Sequence, residues 1–148
     1  MEQLLGRYLL LHAAPRLAKI GYSYNTDWSS EQEDLMHLFT RTLQERIQMI
    51  QFLRLDQRLL YDEFGMCRFT INLKIWPTRV NLNLGEMILQ HYGIRIPTPY
   101  MVSIWGSVRP DAIGWEFTRS NAEQATVAIN QALDLLEEYG IPWLESHR

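Results

Sequence analysis

The chain has 148 residues and a mass of 17.5 kDa, a length that favours one domain over two that fold independently. Hydrophobic residues make up 47% and charged residues 21%, which excludes a disordered or collagen-like chain. Fourteen basic against seventeen acidic residues give a net charge of −3, which argues against a generic binder of nucleic acid or of an anionic membrane.

Residues 3–20 predict a helix with an apolar stripe of Leu4, Leu5, Tyr8, Leu9, Leu11, Leu17 and Ile20. Pro15 should kink or restart it, and Gly21 should stop it. The apolar run near the start, Tyr8 to Leu11, is far too short for a membrane span, and Glu2 offsets Arg7 where a secretory signal would be basic. With a lone cysteine, Cys67, expected as a small buried hydrophobe, the sequence predicts a cytoplasmic protein.

The segment 34–56 admits two readings. Leu35, Phe39, Leu43, Ile47 and Ile50 recur at helical spacing, yet Leu35–Thr42 and Arg46–Asp56 also fit two strands turning at Gln44-Glu45. The strand pair is preferred, because the next element needs partners. That element, 67–75, alternates without a miss: Cys67, Phe69, Ile71, Leu73 and Ile75 on one side, Arg68, Thr70, Asn72 and Lys74 on the other. Pro77 ends it.

Further along, Val80–Leu84 reads as a strand, Glu86–Tyr92 as a short helix stopped by Gly93, and Tyr100–Trp105 as another strand. Ser120-Asn121-Ala122-Glu123 has the form of a capping box, opening a helix with a buried stripe of Ala125, Ala128, Ile129, Ala132, Leu133, Leu136 and Tyr139. Gly140 and Pro142 should terminate it. The sum is a single α+β domain over 1–148, with a mostly antiparallel sheet of four to six strands. An N-terminal and a C-terminal helix pack on one face of that sheet.

Chemistry is sparse. His12, His37, His91 and His147 show no metal-ligand spacing, and no phosphate loop or nucleophile elbow occurs, so no metal, cofactor or catalytic residue is expected. Glu33-Asp34, Asp62-Glu63 and Glu137-Glu138 are expected as surface charges. The charge distribution says more. Arg41, Arg46, Arg54, Arg58, Arg68, Lys74 and Arg79 face four acids over the same stretch, whereas residues 121–148 hold five acids and only Arg148.

The polar side of the 67–75 strand, joined by Arg54 if the preceding strand pairs as expected, is either solvated or meets an acidic partner. A second copy's Asp134, Glu137 and Glu138 would be one such partner, with Trp76 anchoring the rim. Trp105, close to Arg109 and Asp111, is a candidate pocket or partner contact. The binding candidates are therefore Arg54, Arg68, Asn72, Lys74, Trp76, Trp105 and Arg109.

Lys19-Ile20-Gly21-Tyr22 closing the first helix, Ile50-Gln51-Phe52, the run Gly65 to Leu73 and the final Gly140-Ile141-Pro142-Trp143-Leu144 follow one another in an order that resembles a bacterial family of small α+β proteins of unknown function. That family shares a Lys-x-Gly-aromatic helix end and a Phe-x-x-Asn-Leu strand. The resemblance supports the strand pair and implies no catalytic residues; the stretch from Arg79 to Tyr100 has no counterpart. The leading expectation is a non-enzymatic protein-interaction or accessory module of a bacterial system, of immunity, adaptor or defence type. A protein partner is expected, and self-association is one form of it. The alternatives are a small enzyme whose site assembles only in three dimensions and a nucleic-acid binder using the Arg41–Arg79 surface.

Overall fold

The computed structural model describes residues 4–29, 34–55 and 65–147; Glu33, Asp56, Arg58, Asp62, Glu63 and Arg148 lie outside them. The strands are β1 (Ser23–Tyr24), β2 (Met36–Leu43), β3 (Arg46–Arg54), β4 (Met66–Trp76), β5 (Val80–Asn83), β6 (Ser103–Ile104), β7 (Ser107–Val108) and β8 (Gly114–Thr118). All but β6 and β7 form one antiparallel sheet in the order β1-β2-β3-β4. The far edge of β4 is shared end to end: β5 pairs with Asn72–Ile75 and β8 with Met66–Thr70. The 34–56 segment is thus two strands, joined at Gln44-Glu45 with Gln44 in a left-handed conformation (φ 50°) and Leu43 opposite Arg46.

Three helices cover one face. The first, α1, runs through Leu5–Tyr8, Leu9–Ala13 and Ala14–Ala18, the middle stretch being a π-turn. The second, α2, spans Leu84–Tyr92. The third, α3, runs through Ala122–Leu135, a π-turn at Leu136–Gly140, and Ile141–Glu145. Both π-turns precede a proline in the second position of the next α-segment, Pro15 and Pro142. Proline has no N–H to give and its ring crowds the carbonyl four residues back, so a wider turn lets the helix continue where an α-turn cannot.

Two expectations are corrected by this device. The last helix does not stop at Gly140 but proceeds to Glu145, burying Trp143 and Leu144. In α1 the wider turn shifts the phase, so Leu9, Ala13 and Leu17 are buried while Leu11 is 63% exposed. The first helix does end as expected. Gly21 (φ 91°) donates to the Ala18 carbonyl and Tyr22 to that of Leu17, the paired bonds of a Schellman stop. The cap of α3 sits one residue later than Ser120: Asn121 accepts from the Gln124 N–H, and the Gln124 side chain reaches back to the Thr118 N–H.

The apolar side of β4 is the floor of the core. Phe69, Ile71 and Leu73 are fully buried beneath α1 and α3, together with Ile50 and Phe52 of β3 and Phe117 of β8. Cys67 belongs to the same cluster. Tyr100–Trp105 is not a full strand. It leads into the short β6–β7 hairpin, and Val102, Ile104 and Ala112 pack with Leu53 and Leu55 as a smaller core on the opposite face of the sheet.

Candidate interaction surface

Register decides which candidates share a face, because residues directly opposite in antiparallel strands project to the same side. Arg54 lies opposite Phe69, not beside Arg68. It therefore projects to the helix-covered side and does not join the polar face, contrary to the expectation from sequence. It is 4% exposed, and its Nη1 donates to Asp34 Oδ2 at 3.2 Å.

Asp34 itself is 1% exposed, which corrects its expectation as a surface charge. Its oxygens accept the N–H groups of Leu4, Leu5 and Gly6 at 2.8, 2.7 and 2.8 Å, so it caps α1 from thirty residues away in sequence. Oδ1 also lies 2.7 Å from His37 Nε2, and His37 Nδ1 lies 2.8 Å from the Tyr24 hydroxyl. Burial pushes the Asp34 carboxyl up. The hydrogen bonds from His37, Gly6 and Leu5 outweigh that push, and the group sits below its ordinary value. Nothing in the local sequence signals this cluster, since Asp34, His37 and Arg54 become neighbours only through the β2–β3 pairing and the placement of α1.

The other side of β4 divides into a covered and an open half. Thr70 and Asn72, expected on a solvated or partner-facing surface, are 0% and 6% exposed. Thr70 donates to the Ile113 carbonyl at 2.5 Å, and Asn72 donates to Gln51 Oε1 and accepts from Asn83 Nδ2. The chain returning from α2 to β8 lies over this half and closes it. Arg68 is held by Glu116 across the β4–β8 pair, Nε to Oε2 at 2.9 Å, with its guanidinium 4.2 Å from the centre of the Tyr100 ring. Arg109 is likewise committed, as a fork on both carboxylate oxygens of Glu86 at the start of α2.

The open half begins where Asn72 ends. Lys74 stands between Met49 of β3 and Asn81 of β5, and Trp76 stands opposite Ile47. Trp76 is 51% exposed, and Trp28, from the loop after β1, places its ring 6.4 Å away. Lys74 is half-buried without a hydrogen-bonded or ionic partner among the described residues, and burial holds its ammonium below the ordinary value. Arg46, beside Ile47, and Arg79, three residues past Trp76, are exposed and also lack an ionic partner among the described residues. Elsewhere Arg16, Arg41, Arg54, Arg68, Arg95 and Arg109 each hold a carboxylate.

No family model, curated protein or solved structure matches the chain. Of the seven, Lys74 and Trp76 share one open face, to which the fold adds Trp28, with Arg79 in the turn that follows; Arg46, next to Ile47, projects to the other side of the sheet. Alternation over 67–75 points to Lys74, and the place of Trp76 at the strand end marks it as a rim anchor. The loop position of Trp28 gave no sign that it would meet Trp76. Trp105 lies apart, 71% exposed at the β6–β7 turn with φ 53°, followed by Gly106 at φ 77°. Among the described residues no group of three His, Cys, Asp or Glu side chains converges as a metal site would require, and no helix is long and apolar enough to cross a membrane.

Proposed function

We propose that the protein is a non-enzymatic interaction module that binds an acidic protein partner through the open half of its sheet, around Lys74, Trp76, Trp28 and Arg79. The observation that supports this most strongly is the half-buried Lys74, without a polar partner among the described residues, beside an exposed tryptophan pair. A lysine partly removed from water without an anion is unfavourable as it stands, and a carboxylate supplied by a partner relieves it. Tryptophan and arginine are the side chains that most often dominate binding energy, and two large rings held against each other offer apolar area at little entropic cost. Thr40 and Asn81, in the same row of the sheet as Lys74, supply hydrogen-bonding groups around the cation.

An immunity, adaptor or defence role in a bacterial system is consistent with such a surface and forms part of this proposal. The double variant Lys74→Gln/Arg79→Glu removes two cations that hold no ion pair among the described residues. Compared with the parent on a resin loaded with native lysate, it should lose the acidic proteins that the parent releases on raising the salt, with an unchanged melting temperature. Equal retention by the two proteins would remove this face from consideration.

A further inference from the structure

The helix-covered side of the molecule carries a second surface, which takes no part in that proposal. Along α1 the exposed residues Arg7, Leu11 and Lys19 follow at spacings of four and eight, and along α3 Glu123, Val127, Asp134 and Glu138 follow at spacings of four and seven. Each set therefore forms one outer stripe of its helix. The middle of both stripes is apolar: Leu11 is 63% and Val127 49% exposed, and Leu10 beside them is 46% exposed.

The two helices are opposite in charge. Residues 4–21 contain no Asp or Glu, and residues 122–147 contain no Lys or Arg. Arg16 answers Asp134 and Glu137 within the chain, one cation for two carboxylates. Lys19, Glu123 and Glu138 hold no ion pair among the described residues. The helices also lie side by side and run in the same direction, because their contacts advance together. His12 Nε2 is 3.3 Å from Thr126 Oγ1, Arg16 Nη1 is 3.5 Å from Asn130 Oδ1, and Arg16 Nη2 is 3.0 Å from Asp134 Oδ1. By the same advance Arg7 is level with the start of α3, and Lys19 with the turn from Asp134 to Glu138.

Such a face is complementary to itself. A two-fold axis parallel to the helices lays α1 of one copy over α3 of the other, in the same direction and without a shift along them. Arg7 then faces the partner's Glu123, Leu11 the partner's Val127, and Lys19 the partner's Glu138. Symmetry repeats every contact, so base meets acid and apolar meets apolar twice. A two-fold axis at right angles to the helices would instead set α1 on α1 and α3 on α3, base against base and acid against acid.

We infer that the protein pairs with a second copy of itself through this face, α1 of each copy lying on α3 of the other. Two helices of about 10 Å width over the length of α1, about 21 Å, offer about 400 Å² per copy. That is half of the roughly 800 Å² per partner of a standard interface, so the dimer is weak and reversible. Sedimentation equilibrium of the full chain at low salt, from micromolar to about millimolar concentration, tests this. The parent should follow a monomer–dimer equilibrium that weakens as salt is raised. Lys19→Glu and Glu138→Lys, both at exposed positions, should each weaken the dimer about tenfold, as two symmetric pairs turn from attraction to repulsion, with unchanged melting temperature. An equimolar mixture of these two variants should recover dimer that neither forms alone, because each then meets an opposite charge. Leu11→Ser should weaken the parent dimer and gain nothing from mixing with either. A chain that stays monomeric over this range, single variants that associate like the parent, or a mixture with no more dimer than its components would overturn the inference.

Discussion

Asp34 shows how one buried side chain can hold distant elements together. Its carboxylate caps α1, meets His37 of β2 and receives Arg54 of β3, in a backbone conformation (φ 52°) that costs an aspartate little but a branched residue more. Asp34→Asn keeps the shape but removes the buried charge that meets Arg54 and His37 and caps α1, so it should destabilise by about 3–5 kcal/mol in chemical denaturation. The pH dependence has a defined sign. The folded carboxyl stays ionised to lower pH than the unfolded one, so its contribution is fully present above the unfolded value of 3.8 and drains away as the pH falls through the depressed folded value. The parent should therefore lose stability on acidification through that window more steeply than Asp34→Asn; parallel profiles would mean that the carboxylate contributes nothing. Lys74 is the opposite case, a half-buried charge without an anion among the described residues.

At the scale of elements, the alternation of β4 was the clearest signal in the chain, and it told truly which residues reach the core. Phe69 and Leu133 are both fully buried in the main core, and truncating either to alanine should cost about 2–5 kcal/mol through the cavity left behind. A denaturation midpoint no lower than that of a surface variant would show the packing to be misassigned. Gly85 at the start of α2 is a sharper case. A β-carbon there would lie 2.6 Å from the Ile113 nitrogen and 2.8 Å from the Asp111 oxygen, backbone atoms that cannot swing aside. Gly85→Ala should therefore destabilise by about 1–3 kcal/mol or more, and it should also loosen the segment that covers Thr70 and Asn72, read as faster amide exchange at Ile113. An unchanged stability would mean that this segment shifts freely. The two-strand character of 34–56 was harder to read, because β3 is buried on both faces from Gln48 to Arg54 and so shows no alternation. Pro15 and Pro142 marked irregularities, but a π-turn and a helix stop leave the same trace in sequence.

For the whole molecule, fold class and helix placement were legible because they follow from local periodicity and from caps. The division of the polar sheet face was not. Arg68, Thr70, Asn72 and Lys74 alternate identically along β4, and only the return of the chain over the sheet decides that Thr70 and Asn72 are closed in while Lys74 stays open. The same holds for charge: net −3 conceals a molecule in which six arginines hold a carboxylate, while Arg79 near Trp76 holds none among the described residues. The central claim is that this open half receives an acidic protein segment. It is tested most directly by amide NMR of the full chain titrated with a short oligoglutamate peptide at low salt, with oligothymidylate as the comparison. The account predicts shifts clustered at Thr40, Ile47, Met49, Lys74, Trp76 and Asn81 with the peptide, lost in Lys74→Gln/Arg79→Glu. Shifts confined to other surfaces, or a response at these residues to oligothymidylate and not to oligoglutamate, would contradict it.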